Sequence, residues 1–249
     1  MRDVIANLPA SKIREVANAA IGRADVLPFW FGESDEPTPG FVTEAAVASL
    51  HRGETAYAHN LGLPELREAL AGYASGLHRP VGAERIAVTS SGVNGLMIAT
   101  QALVGAGDEV VAVVPVWPNI TAQSAILGAD VKRVSLQVRD GAWQLDLDRL
   151  LAAITDKTRL LLVNAPNNPT GWTMTRAEQQ AVLDHCRRTG TWIVADEVYE
   201  RLYYEPGHAA APSFLDIAEP DDRLVLAPGC AYGVVYAGWR RGWRSEARP

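Results

Sequence analysis

Leu161-Leu162-Val163-Asn164-Ala165-Pro166-Asn167-Asn168-Pro169-Thr170-Gly171, followed after a helical segment by Trp192-Ile193-Val194-Ala195-Asp196-Glu197-Val198-Tyr199, is the stretch on which the fold turns. Leu161 to Val163 is a short apolar run bounded by turn residues, which reads as a parallel strand covered on both faces. Residues 175–188 have helical composition, Gly190 supplies a stop, and a second apolar run reaches Asp196. This is one strand-helix-strand unit. A right-handed crossover puts Asn168 and Asp196 just beyond the carboxyl ends of two parallel strands, the edge where open α/β sheets bind ligands.

Working outward, residues 85–136 repeat the pattern. Strands are expected at 86–89, 109–114 and 131–136, helices near 93–103 and 120–126, with a further helix at 147–153 and a short strand at 224–226. The expected class is therefore α/β, a mostly parallel sheet with helices on both faces. Before it come a helical segment at 11–23 with Ser11 as cap, the aromatic run Phe29-Trp30-Phe31, an acidic and proline-rich loop to Pro39, and helices near 42–51 and 64–77. The stretch 207–220 reads as loop, and no 20 to 50 residue repeat is present.

The chain has 249 residues, 48% of them apolar, enough for a sizeable core. A net charge of -6 and a pI near 5.4 argue against nucleic acid or an anionic membrane as partner, since both reward a basic face. Cys186 and Cys230 form no pair motif, so neither a disulfide framework nor a metal site is expected, and a reducing cytoplasm fits. No apolar run approaches the roughly 20 residues of a spanning helix. The expected ligand is a small molecule.

Several residues at the expected ligand edge carry chemistry. Ser91 and Gly92 lie between a strand and a helix, where free amides and the helix dipole hold phosphate, although a serine there is equally an ordinary cap. Trp117 follows another strand and can stack on a flat heterocycle or simply pack. Asp196 can face a protonated ring nitrogen, or cap a helix beginning at Glu197. Asn168 and Tyr199 can both hydrogen-bond a phenolic oxygen, and Arg240 offers a bidentate phosphate contact. A nucleotide reading lacks a glycine fingerprint or P-loop.

The order and spacing of Tyr57, Gly62-Leu63-Pro64-Glu65-Leu66-Arg67, Ser91-Gly92, Pro115-Val116-Trp117, Asn167-Asn168-Pro169-Thr170-Gly171, Asp196-Glu197-Val198-Tyr199 and Gly238-Trp239-Arg240 carry a resemblance. From Phe31 onward the chain resembles the pyridoxal-phosphate-dependent aminotransferases of class I/II, the aspartate aminotransferase superfamily of fold type I. The resemblance implies that Ser91, Gly92, Val93 and Arg240 hold the phosphate and that Trp117 stacks on the pyridine ring. It further implies that Asn168 and Tyr199 bind the ring 3-oxygen and that Asp196 holds the ring nitrogen. Tyr57 would reach the phosphate of the neighbouring subunit in a homodimer, and Gly32 would sit beside the substrate carboxylate. The implied reaction moves an amino group between an amino acid and a 2-oxo acid.

Two departures accompany it. The family places a lysine, which forms a Schiff base with the cofactor, eight residues before the phosphate arginine; here that position is Tyr232, and a phenol forms no imine. The serine expected three residues earlier is Gly229. The only lysines are Lys12, Lys132 and Lys157, and the last two precede expected strands whereas the ligand edge follows them. Aminotransfer by the usual cycle is therefore not expected, and pyridoxal phosphate would be held non-covalently. Family members also continue into a C-terminal small domain, so the chain reads as an arm and small-domain fragment (1–40), a cofactor-binding large domain (41–249) and an incomplete small domain. A degenerate or frameshifted gene, or a wrongly predicted reading frame, is the expected source of both departures. A non-catalytic binding or regulatory remnant and a carbon-sulfur lyase on the same scaffold are the alternatives. Without the small domain, Phe29, Trp30 and Phe31 are expected to be partly uncovered.

Overall fold

A computed structural model describes residues 1–32, 36–228 and the backbone of 234–237. The chain forms two compact units: residues 7–59, and residues 1–6 together with the described residues from 60 onward. The amino-terminal helix α1 (Asp3–Ala6) belongs to the second. In the unit 7–59, α2 (Lys12–Ala20) begins where Ser11 Oγ accepts the Arg14 N–H at 3.4 Å, and the Arg14 guanidinium lies 4.6 Å above the Phe31 ring. Helix α3 (Gly40–His51) follows. Phe29 is 87% exposed, whereas Trp30 and Phe31 are half-buried.

The larger unit alternates helix and strand, as the apolar runs predict. In chain order it holds α4 (Pro64–Leu77), β1 (Ile86–Val88), α5 (Gly92–Leu103), β2 (Glu109–Val114), α6 (Pro118–Ile126) and β3 (Asp130–Ser135). A small hairpin of β4 (Gln137–Arg139) and β5 (Ala142–Gln144) comes next, then α7 (Leu147–Ala153), β6 (Thr158–Asn164), α8 (Arg176–Thr189), β7 (Trp192–Glu197), β8 (Leu224–Pro228) and β9 (Val234–Ala237). The main sheet has the order β1-β9-β8-β7-β6-β2-β3. Neighbours from β8 through β3 are parallel, and β9 runs antiparallel to both β8 and β1.

Strand alternation sorts the core into two layers. Val111, Leu161, Val163, Ile193, Ala195 and Leu226 face α4, α7 and α8. Val110, Ala112, Leu160, Leu162, Val194 and Ala227 face α5 and α6. Each central strand is apolar on both sides because both sides are covered, which explains why these strands read as continuous runs. Since Val194 faces α5 and α6, so does Asp196; Glu197 turns to the α4 and α8 side. Between β2 and β6 the connections diverge, one through α6 to β3 and the other through α8 to β7. That divergence is a topological switch point.

Five local readings are corrected. The hairpin β4–β5 was not anticipated; Asp140 (φ 52°) and Gly141 (φ 76°) form its turn, and an Asp-Gly pair is the sequence signal for one. Strand β9 and the short helix α1 were likewise not expected. The segment after Asp196 is a turn and not a helix, so Asp196 is no helix cap. Within 207–220 a single 3-10 turn, Phe214–Asp216, is set by a capping box between Ser213 and Asp216.

Candidate active site

The loop after β6 is built by asparagines. Asn164, 1% exposed, ends the strand in register with Asp196. Its Oδ1 accepts the Asn168 N–H at 2.7 Å, and its Nδ2 donates to the Asp196 carbonyl at 3.0 Å. One buried amide thus ties the Asn168 backbone to the end of β7. Asn167, also buried, donates from Nδ2 to the Pro115 carbonyl at 3.2 Å and accepts the Thr170 N–H and hydroxyl at 3.1 and 2.7 Å. That contact bridges the ends of β2 and β6 across the switch point. The loop closes where the Gly171 N–H reaches the Asn167 carbonyl at 2.8 Å, with Gly171 at φ 72°, a conformation that favours glycine.

This scaffold presents the Asn168 side chain half-buried, with Nδ2 3.4 Å from the Tyr199 hydroxyl. Two polar groups expected to share one ligand oxygen are thereby brought together. Asp196 is 6% exposed, and burial pushes its carboxyl up to about 6, offset in part by the Val198 N–H at 3.3 Å. Among the described residues no cation pairs with it. A buried carboxylate without a cation is costly unless a positive partner arrives.

The neighbouring layer supplies two helix starts. Ser91 caps α5, its Oγ accepting the Asn94 N–H at 3.2 Å, so the ordinary capping role is present. With the Asn94 N–H taken by this cap, the Gly92 and Val93 N–H groups at the helix start have no intrahelical acceptor. A side chain built on Gly92 would meet nothing within 4 Å, leaving room above this end. The Val93 carbonyl accepts the Gln123 Nε2 at 3.0 Å, tying α6 to the start of α5. Trp117 is the residue before α6, half-buried against the apolar layer of α5 and α6.

Ser91, Gly92, Val93, Trp117, Asn168, Asp196 and Tyr199 therefore follow the carboxyl ends of strands of one sheet. Tyr57, fully exposed, and Gly32 belong to the 7–59 unit. Tyr232 and Arg240 lie outside the described residues. Asn164 and Gln123 were missed by sequence reasoning. Asn164 did carry a signal, a polar residue closing a buried apolar run, whereas nothing local marks Gln123. The donor set fits a flat heterocycle with a protonated ring nitrogen for Asp196, an oxygen substituent for Asn168 and Tyr199, and an anionic group for the start of α5.

Fold and site together define an α/β protein with a candidate ligand site at the carboxyl edge of a mostly parallel sheet. Residues 24–245 match the family described as aminotransferase class I and II, and the chain belongs to that family. The aspartate aminotransferase of Thermotoga maritima is 32% identical over 244 residues, covering 96% of this chain and 64% of the relative. The aspartate/prephenate aminotransferase of Thermus thermophilus is 35% identical over 222 residues, covering 88% and 56%. A crystal structure of the Thermotoga maritima aspartate aminotransferase superposes with a TM-score of 0.85 at 30% identity, over 95% of this chain and 66% of that one. The chain thus spans about three fifths of the length of such relatives. The homologous aminotransferases depend on pyridoxal phosphate. Their fold is type I, as expected.

Proposed function

We propose that this chain binds pyridoxal 5'-phosphate non-covalently and does not complete the family's amino-group transfer between an amino acid and a 2-oxo acid. The observation that carries the reading is Asp196, a buried carboxylate without a cation, next to the paired side chains of Asn168 and Tyr199. When bound, the cofactor supplies an electron sink for bonds at the α-carbon of an amino acid. Asp196 would keep a proton on the ring nitrogen, which maintains that sink. Asn168 and Tyr199 would hold the ring 3-oxygen and Trp117 would cover one ring face. Ser91, Gly92 and Val93, joined by Arg240, would hold the phosphate. In a homodimer Tyr57 would come from the second copy, and Gly32 would lie beside the substrate carboxylate. A cytoplasmic location fits the composition, and among the described residues no helix is long and apolar enough to cross a membrane.

The reading of inactivity rests on lysine. Tyr232 stands at the family's lysine position, and a phenol with an ordinary pKa of about 10 is a poor base near pH 7. Lys132 in β3 is ion-paired with Glu109 at the start of β2, and Lys157 precedes β6. Lys157 sits at the amino end of its strand, about 20 Å of strand from the opposite edge. Lys132 does not precede its strand but is the third residue of β3, on the same face as Val134, which packs in the α4, α7 and α8 layer on the side of the sheet away from Asp196. Lys12, in the 7–59 unit, pairs with Glu15 at 2.6 Å.

Titrating the protein with pyridoxal phosphate, followed by tryptophan fluorescence and visible absorption, tests both halves. Saturable binding without a borohydride-trapped lysine adduct is expected. Asp196→Asn should weaken binding about tenfold, and Tyr232→Lys should yield the trapped adduct. No binding by the unmodified chain would refute the cofactor reading, and turnover of amino donors would refute the inactivity.

A further inference from the structure

On the face of β7 opposite Asp196 lies a buried charged cluster that cofactor binding leaves unused. His78 follows the last turn of α4, where its N–H bonds the Ala74 carbonyl, and its side chain is 4% exposed. Its Nδ1 lies 3.0 Å from Asp216 Oδ1 and its Nε2 3.3 Å from Glu200 Oε2. A neutral imidazole has a single N–H, so two carboxylate contacts require both nitrogens to be protonated. Burial alone would lower the His78 pKa, but Asp216, Glu200 and the more distant Glu197 outweigh it and raise it to about 9.

The surrounding groups complete the balance. The Tyr73 hydroxyl of α4 donates to Glu200 Oε1 at 3.2 Å, and Arg176 at the start of α8 pairs with Asp216 Oδ2 at 3.3 Å. Glu197 accepts from the Ser213 hydroxyl and from the Phe214 N–H, and burial pushes it up to about 8, which keeps it protonated near pH 7. Two cations, His78 and Arg176, then face two carboxylates, Glu200 and Asp216.

The chain positions give the cluster its meaning. Glu197 directly follows Asp196, and Glu200 directly follows Tyr199. Backbone bonds also hold the turn between them, among them the Ala211 N–H to the Glu200 carbonyl at 2.8 Å. The Glu200 N–H reaches the Glu197 carbonyl at 2.9 Å and the Leu202 N–H the Tyr199 carbonyl at 2.8 Å, while Val198 and Leu202 are exposed.

We propose that His78 is a positioning residue: by gripping Glu200 from behind the sheet, it fixes the 196–200 turn so that Asp196 and Tyr199 face the cofactor ring. The proposal rests on the pyridoxal phosphate reading above, and its test separates the two. Amide hydrogen exchange of residues 197–204, corrected for intrinsic rates, is measured from pH 6.5 to 10 on the full chain, His78→Gln and His78→Arg, beside pyridoxal phosphate titrations of each. In the unmodified chain, protection at the Glu200 and Leu202 amides should fall about tenfold as the pH passes about 9. His78→Gln should show the low protection at every pH, with β6 unchanged and cofactor affinity about tenfold weaker; His78→Arg, which keeps the charge, should recover part of both. Equal protection in His78→Gln and the unmodified chain, or a loss spread evenly into β6, would overturn the proposal. If the unmodified chain takes up no pyridoxal phosphate, the cofactor reading fails, and the exchange pattern alone decides whether His78 holds the turn. Should His78→Gln not fold, Glu200→Gln supplies the same comparison.

Discussion

Asn164 shows how much of the site depends on a residue that touches no ligand. Its single side-chain amide serves the half-buried Asn168 N–H and the buried Asp196 carbonyl. Asn164→Ala removes both contacts; the Asp196 carbonyl keeps the Ala165 N–H at 3.1 Å, but the Asn168 N–H is left without its partner, which costs on the order of 1–3 kcal/mol. The expected outcome is a protein destabilised by about 2 kcal/mol in urea denaturation, with pyridoxal phosphate affinity reduced about tenfold because Asn168 loses its anchor. Thr170→Val is the contrast. It removes a hydroxyl that bonds only within the loop, to Asn167 Oδ1 and from the Trp172 N–H, so its effect on affinity should be smaller than its effect on stability. Equal losses of affinity in the two variants would mean that Asn164 has no special hold on the site.

At the scale of elements, helix α8 is the best-specified piece. Thr175 and Glu178 form a reciprocal capping box, and Gly190 closes the helix at φ 73°. Thr175→Ala should cost about 1 kcal/mol, and Gly190→Ala about as much from the left-handed backbone, both read as a lower urea midpoint with an unchanged slope. These signals are local, which is why α8 and the strands on either side of it were legible in the sequence. The same holds for the parallel strands, whose two-sided burial writes itself as Val, Ile and Leu runs, and for Asn168, Asp196 and Tyr199, which directly follow those runs. Strand β9 was not legible, because a four-residue antiparallel strand beside β1 and β8 owes its place to long-range pairing. His78 was not legible either. Its partners Glu200 and Asp216 lie 122 and 138 residues away, and no local pattern marks a histidine that will be buried between them.

For the molecule as a whole, the buried titratable groups set a direction for stability against pH. The folded pKa of His78 is about 9 against an ordinary 6.5, so the folded state binds this proton more tightly. The stabilisation is complete below 6.5 and is lost as the pH rises through 9. Glu197, held near 8 by burial against an ordinary 4.5, acts in the same sense: its proton is retained on folding, and that preference is lost on the way from 4.5 up through 8. The opposite sense belongs to Glu109, Asp216 and Asp222. Their folded pKa values are lowered, and their contributions fade only as the pH falls through the ordinary carboxylate range and below. Between 6.5 and 8 both raised groups therefore lose stabilisation while those three carboxylates stay ionised and contribute no slope. Thermal unfolding of the protein without cofactor should show a midpoint that falls by about 5 °C from pH 6.5 to 9. His78→Gln should start from a lower midpoint and lose less across this window, and Glu197→Gln, which carries a permanently neutral side chain, should remove most of the part below pH 8. A midpoint that rises between pH 6.5 and 9 would mean that these two groups do not govern the stability of the fold.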